Sequence, residues 1–300
     1  MRAPWHDRSG AVSPLKAATL AALCLPALLV VLDVAGERYD VRPIVAFQRD
    51  TGLWTLRLLV ITLAVTPLRQ ILRMPQLVPL RRLIGVGTFC YACLHLGAYL
   101  ALKGFDPAIV AGELRQFVPL PLGLTVFAIL SALAATSSDA MVRRLGGRRW
   151  QRLHRAVYAA IAVAILHAVL EMKLLIDQPA MIAGLLVWLM GYRLVLWRRG
   201  VERARAVPTL LLLTLGAAAL TMLGEAAYLQ WRTHGSALLV LEADFTFVTG
   251  VRPGWYVLAA GLALTAAGLA AARRRRDAAG DAPAAGAVPA VGARPASGVE

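Results

Sequence analysis

Charge is scarce in this chain. Only 16% of its 300 residues are Asp, Glu, Lys or Arg, against about a quarter in an ordinary soluble domain. With 59% hydrophobic residues and a mean hydropathy of +0.64, that shortage excludes a conventional water-soluble fold. Acid is scarcer than base, 17 residues against 32, which leaves a formal charge of +15. Nucleic-acid binders gather such an excess on a folded polar surface, whereas here it falls in short clusters between long apolar runs, so nucleic acid is not an expected partner. Cysteine is nearly lacking. Cys24, Cys90 and Cys93 all lie inside apolar runs, which excludes the disulfide framework of small secreted domains. Carboxylates at mid-run are few, because Asp33, Glu171 and Glu225 sit near run ends, and this argues against a proton relay. No loop is large enough to house a catalytic domain. No glycine-rich phosphate-binding turn follows residue 200, so a self-contained flavin and nicotinamide reductase is not expected. A transporter's polar pathway with broken helices is equally weak.

What the chain has in abundance is apolar runs near the roughly 20 residues that cross a bilayer. Eight qualify or nearly so: 16–35, 51–68, 83–102, 121–139, 156–172, 180–197, 208–229 and 254–272. The expected fold is all-α, a polytopic bundle in contact with membrane lipid. The first run follows Arg2, Arg8 and Lys16 like a signal peptide, but it is long and shows no small-residue cleavage pattern, so it is read as a span. Alternate connections carry 22 and 8 Lys or Arg residues, and the richer side is expected to be cytoplasmic, with both termini on it. Residues 1–200 read as a six-helix core and 201–272 as two further spans. Residues 273–300, rich in Ala, Gly and Pro beyond an arginine run, read as a disordered tail.

Ionisable groups inside a bilayer are costly and mark function. His95 lies about 10 Å, and His167 about 8 Å, from the outer ends of the third and fifth runs at 1.5 Å per residue. Two imidazoles at one depth on two helices are what bis-histidine ligation of b-type haem iron requires. His154, in a basic segment thirteen residues before His167, marks the opposite face. On an ideal helix it points to another side than His167, so it is a candidate ligand of a second haem or a contact for a cofactor or quinone there. Arg57, about 9 Å below the outer boundary, is a candidate partner for haem propionates, with snorkelling to the interface as the alternative. Cys90-Tyr91-Ala92-Cys93-Leu94-His95 nearly spells a covalent haem attachment motif, but the histidine is one residue late. Any haem should be non-covalent.

Thr51-Gly52 through Thr66-Pro67-Leu68-Arg69, Arg81-Arg82-Leu83-Ile84-Gly85, Leu94-His95, Thr136-Ser137 with Ala140-Met141, Trp150-Gln151-x-Leu153-His154-x-x-Val157-Tyr158 and Leu166-His167 form a combination. Together, over residues 15 to 200, they resemble the MsrQ family, haem-binding membrane subunits of the MsrPQ methionine sulfoxide reductase system within the ferric-reductase-like transmembrane superfamily. The resemblance implies a subunit of the bacterial inner membrane that takes electrons from the quinone pool, passes them through b haem and delivers them to MsrP, a periplasmic molybdopterin reductase. It also implies FMN, at a site that no residue here identifies. The family's haem histidines fall by motif on His95, His154 and His167. Two departures stand out: a pair of extra helices, and one extra residue in the basic loop before His154. In the wider superfamily the third and fifth helices each tend to carry two haem histidines, but Arg82 stands thirteen residues before His95, so a complete second pair is missing. The expected function is electron transfer to a separate reductase. The alternatives are a ferric-reductase-like cytochrome b with another acceptor, or a non-redox transporter.

Overall fold

The computed structural model describes residue 5 and residues 10–36, 42–247 and 250–280. The elements are helices α1 (Pro14–Ala35), α2 (Pro43–Ile71), α3 (Leu80–Leu102), α4 (Pro107–Gln116), α5 (Pro119–Ala135) and α6 (Asp139–Leu145). They continue as α7 (Gly147–His154), α8 (Ala156–Met172), α9 (Asp177–Arg205), α10 (Val207–Thr233), α11 (Ala237–Thr246) and α12 (Pro253–Gly280). The protein is a multi-pass, all-α membrane bundle. Among the described residues, seven stretches are long and apolar enough to cross a membrane, and the α4–α5 pair, bent by 109°, brings the number to eight if it counts as one. The eight expected runs map onto α1, α2, α3, α5, α8, α9, α10 and α12. α12 does not stop at 272: it continues through Arg273–Arg276 to Gly280, because nothing in Ala-rich sequence followed by arginines breaks a helix. The rest of the expected tail, 281–300, lies outside the described residues.

Proline punctuates the chain where a missing N–H is harmless. It opens α1, α2, α4, α5 and α12. At α4, the Asp106 carboxylate also accepts from Ala108 N at 2.7 Å, capping a helix that runs across the bundle end instead of through it.

Side chains then lock the helices in register. The Tyr91 hydroxyl inserts into the ladder of α1 beside Pro26, donating to Leu23 O (2.7 Å) and accepting from Ala27 N (2.8 Å). Farther along, Gly184 of α9 lies under Thr221 and Val257, and Trp188 Nε1 donates to Thr214 Oγ1 at 3.0 Å. Such close approach of small and hydroxyl residues substitutes for the hydrophobic drive that lipid does not supply. It fastens α10 and α12 onto α9, and α12 also touches α2.

The basic connections gather at one end. Arg275 Nη2 donates to Arg73 O (2.9 Å), Arg82 Nη1 to Asp139 (2.7 Å) and Trp150 Nε1 to Thr136 O (2.8 Å). At the other end, Arg252 joins the carboxylate of Glu225 at 2.5 Å, and Tyr228 donates to Lys173 O at 2.8 Å.

Candidate functional site

Toward the less basic end, α2, α3, α5 and α8 enclose a cavity of about 400 Å³, within the usual size of small-molecule pockets. Its wall is mostly apolar, with Leu56, Ala92, Leu124, Val126, Phe127 and Ala164 in it, and polar groups gather at Gln48, Arg49, Tyr99 and Glu171. His95 from α3 and His167 from α8 both face this space, with ring centroids 6.3 Å apart and planes at 85°. The expectation that they share a depth is met by direct proximity.

Each imidazole is held the same way. His95 Nδ1 is 2.7 Å from Gln48 O on α2, and His167 Nδ1 is 2.8 Å from Pro119 O on α5. A carbonyl only accepts, so Nδ1 carries the proton and donates, which leaves the Nε2 lone pair of each ring for a ligand. Four residues beyond each carbonyl, one helical turn on, stands a glycine. A Cβ on Gly52 would meet the His95 ring at 2.8 Å, and one on Gly123 would meet the His167 ring at 3.0 Å. The two halves of the site thus repeat one device: a helix carbonyl orients the ring, and a glycine on the same face makes room for it. Metal-bound histidines are oriented in this manner by an outer hydrogen bond.

The donor set fits a bis-imidazole metal centre. Two iron–nitrogen bonds of about 2 Å, with about 1.1 Å from each nitrogen to its ring centre, span about 6.2 Å. The observed separation is 6.3 Å.

Arg57 lies elsewhere, and His154 sits at the opposite, basic end, as expected. Arg57 does not line the cavity: its guanidinium donates to Gln178 Oε1 at 2.9 Å and stacks over Trp54 at 4.9 Å. The reason is angular. Five residues from Gly52 advance about 500°, which turns Arg57 about 140° from the cavity side. Arg49, three residues before Gly52, is the arginine at the cavity. His154, at the basic end, lies against Trp150, with ring centroids 3.9 Å apart. Its Nδ1 bonds Trp150 O at 3.1 Å, and its Nε2 is 3.4 Å from Ser137 Oγ. With the Trp150 bond to Thr136 O, these contacts knit α7 to the end of α5. The Thr-Ser and Trp-x-x-x-His motifs therefore form one structural knot. Gly52 stands out in the sequence only within a motif, and Gln48, Pro119 and Gly123 do not stand out at all. A glycine four residues after a carbonyl that accepts from a ring carries little signal of its own.

A membrane bundle with paired imidazoles in an apolar cavity defines a class, and the family model described as "Ferric reductase like transmembrane component" matches residues 51–165. That range holds Gly52, His95, Gly123 and His154 and stops two residues before His167. Among curated proteins, the chain is 41% identical over 174 residues to the protein-methionine-sulfoxide reductase heme-binding subunit MsrQ of Ralstonia nicotianae, covering 55% of this chain and 80% of the relative. Identity is 39% over 186 residues with the protein of the same name from Azospira oryzae (61% and 80% covered). It is 36% over 191 residues with that of Rhodospirillum rubrum (63% and 89% covered). The chain belongs to the MsrQ family. No solved structure matches it.

Proposed function

We propose that the chain binds one b-type haem between His95 and His167 and serves as a membrane electron-transfer subunit. The observation that carries this is the pair of Nδ1-anchored imidazoles, 6.3 Å apart in an apolar cavity. Bound there, haem supplies a one-electron carrier. His95 and His167 would hold it, with the carbonyls of Gln48 and Pro119 fixing their tautomers and Gly52 and Gly123 letting the rings seat. The apolar wall excludes water, and Arg49 at the polar end offers the haem carboxylates a cation. His154 is stacked on Trp150, and the position thirteen residues before His95 is Arg82, so the reading takes one haem.

The names of the relatives, heme-binding subunits of a methionine sulfoxide reductase, support extending this to a route from the quinone pool to the periplasmic reductase MsrP. In this reading the basic end faces the cytoplasm of a bacterial inner membrane, and the histidine cavity lies toward the periplasmic end, near the acceptor. FMN is kept as an implication of the family alone. The test is an optical spectrum of the purified protein: reduced b haem bands in the wild type, lost or strongly perturbed in His95→Ala and His167→Ala and retained in His154→Ala. Normal haem content in both single variants of the outer pair would overturn the assignment.

A further inference from the structure

A second, smaller cavity of about 70 Å³ lies at the basic end, where α2, α9 and α12 meet the start of α10. Arg73, Arg205 and Thr265 form its polar wall, Ile71, Leu210 and Leu269 much of its apolar one, and no residue lining it is acidic. Arg205 Nη1 pairs with Glu202 at 3.3 Å, but Arg205 Nε is shut off from solvent and has no hydrogen-bond partner. A buried guanidinium N–H is unfavourable until an acceptor completes it. Thr265 cannot serve as a donor to such a guest, since its hydroxyl donates to Gly261 O at 2.8 Å. The charged side chains lining the cavity are guanidinium groups, and Arg275, bonded to Arg73 O, adds a third beside them.

We propose that this cavity holds the phosphate of an anionic phospholipid and thereby clamps α10 and α12 to the end of α2. Guanidinium forks match phosphate oxygens in pairs. The apolar wall suits the glycerol and acyl portion of a lipid better than a free ion, and basic pockets between spanning helices at a cytoplasmic-type face have that chemistry. The inference is independent of the histidine cavity.

The test uses the full chain, purified in detergent and stripped of lipid. Its probes are phosphatidylglycerol, phosphatidylcholine and inorganic phosphate, with retained lipid counted by native mass spectrometry and stability read as the thermal midpoint. Phosphatidylglycerol is expected to be retained and to raise the midpoint, and phosphatidylcholine to do neither. Arg205→Gln and Arg73→Gln should each weaken the phosphatidylglycerol response about tenfold, the loss of a charge-assisted bond. Arg205→Lys, which keeps the charge without the fork, should fall between. Arg73, at the half-exposed rim, keeps the test open if the Arg205 variant does not fold. A full response to inorganic phosphate alone, lost in both variants, would overturn the lipid in favour of soluble phosphate. Equal responses to the two lipids, or a response unchanged in Arg73→Gln, would overturn the site. Haem content on the same samples reports separately on the histidine pair.

Discussion

Replacing Gly52 by Ala separates the fold from the site. An added Cβ would stand 2.8 Å from Cε1 and Nδ1 of His95, and ordinary contact begins at 3.4 Å, so the ring must recede by about 0.6 Å. Ligand distances at a metal centre tolerate only about 0.2 Å, and the same recoil lengthens the 2.7 Å bond from Nδ1 to Gln48 O. Disturbing an outer orienting contact typically costs 10- to 100-fold in affinity, about 1.4–2.7 kcal/mol. The helix itself should not suffer, since Ala exceeds Gly by about 1 kcal/mol in helix propensity. Gly52→Ala is therefore expected to insert and fold normally while binding haem 10- to 100-fold more weakly, measured by haem titration of the purified apoprotein. Gly123→Ala, with a contact of 3.0 Å, should lose less. Gly97→Ala, on the helix of His95 but with nothing within 4 Å of its added Cβ, is the control and should bind as the wild type does. Equal affinity in the Gly52 and Gly97 variants would refute the reasoning.

Arg49→Leu should lower the haem midpoint potential by roughly 20–40 mV, the interaction of unit charges about 10 Å apart at an effective dielectric of about 40–80. Arg57→Leu should leave it nearly unchanged, and a redox titration with the reverse ranking would return the propionate role to Arg57. A chain ending near Gly200, where φ of 75° breaks α9, should retain haem because no residue of α10, α11 or α12 lines the cavity; haem loss in a stably inserted truncation would count against this. Burial pushes the Asp244 carboxyl above its ordinary range, with Arg252 opposing. Folding then favours the protonated form, so stability falls as pH rises through the window between the ordinary and the raised value. Asp244→Asn should accordingly raise the thermal midpoint at about pH 8 and lose that advantage toward about pH 4; a gain equal at both would show that titration is not its source.

The spans were legible because lipid imposes a length and a composition that hydropathy reports directly. That His95 and His167 come together was legible too, since a costly side chain at equal depth on two helices leaves few innocent explanations. Arg57 shows where depth stops informing: only the rotation of α2 decides which neighbour it meets, and that rotation is set by packing against α3 and α9. The carbonyls of Gln48 and Pro119 could not be read at all, because every residue has one and only the fold selects which faces a ring. The Arg252–Glu225 pair, 27 residues apart in sequence, was likewise hidden. Arg252 looked like one more loop cation and Glu225 like a helix-end acid, and only the folding of α11 and α12 against α10 brings them together.

The central claim is that His95 and His167 share one iron, and electron paramagnetic resonance of the oxidised, haem-replete protein tests it most directly. Rings at 85° to one another predict a low-spin ferric signal of the strongly anisotropic kind given by nearly perpendicular imidazole planes, converted to a high-spin signal or lost in His95→Ala and in His167→Ala. A high-spin ferric signal in the intact wild-type protein, or a low-spin signal unaltered in both variants, would contradict it.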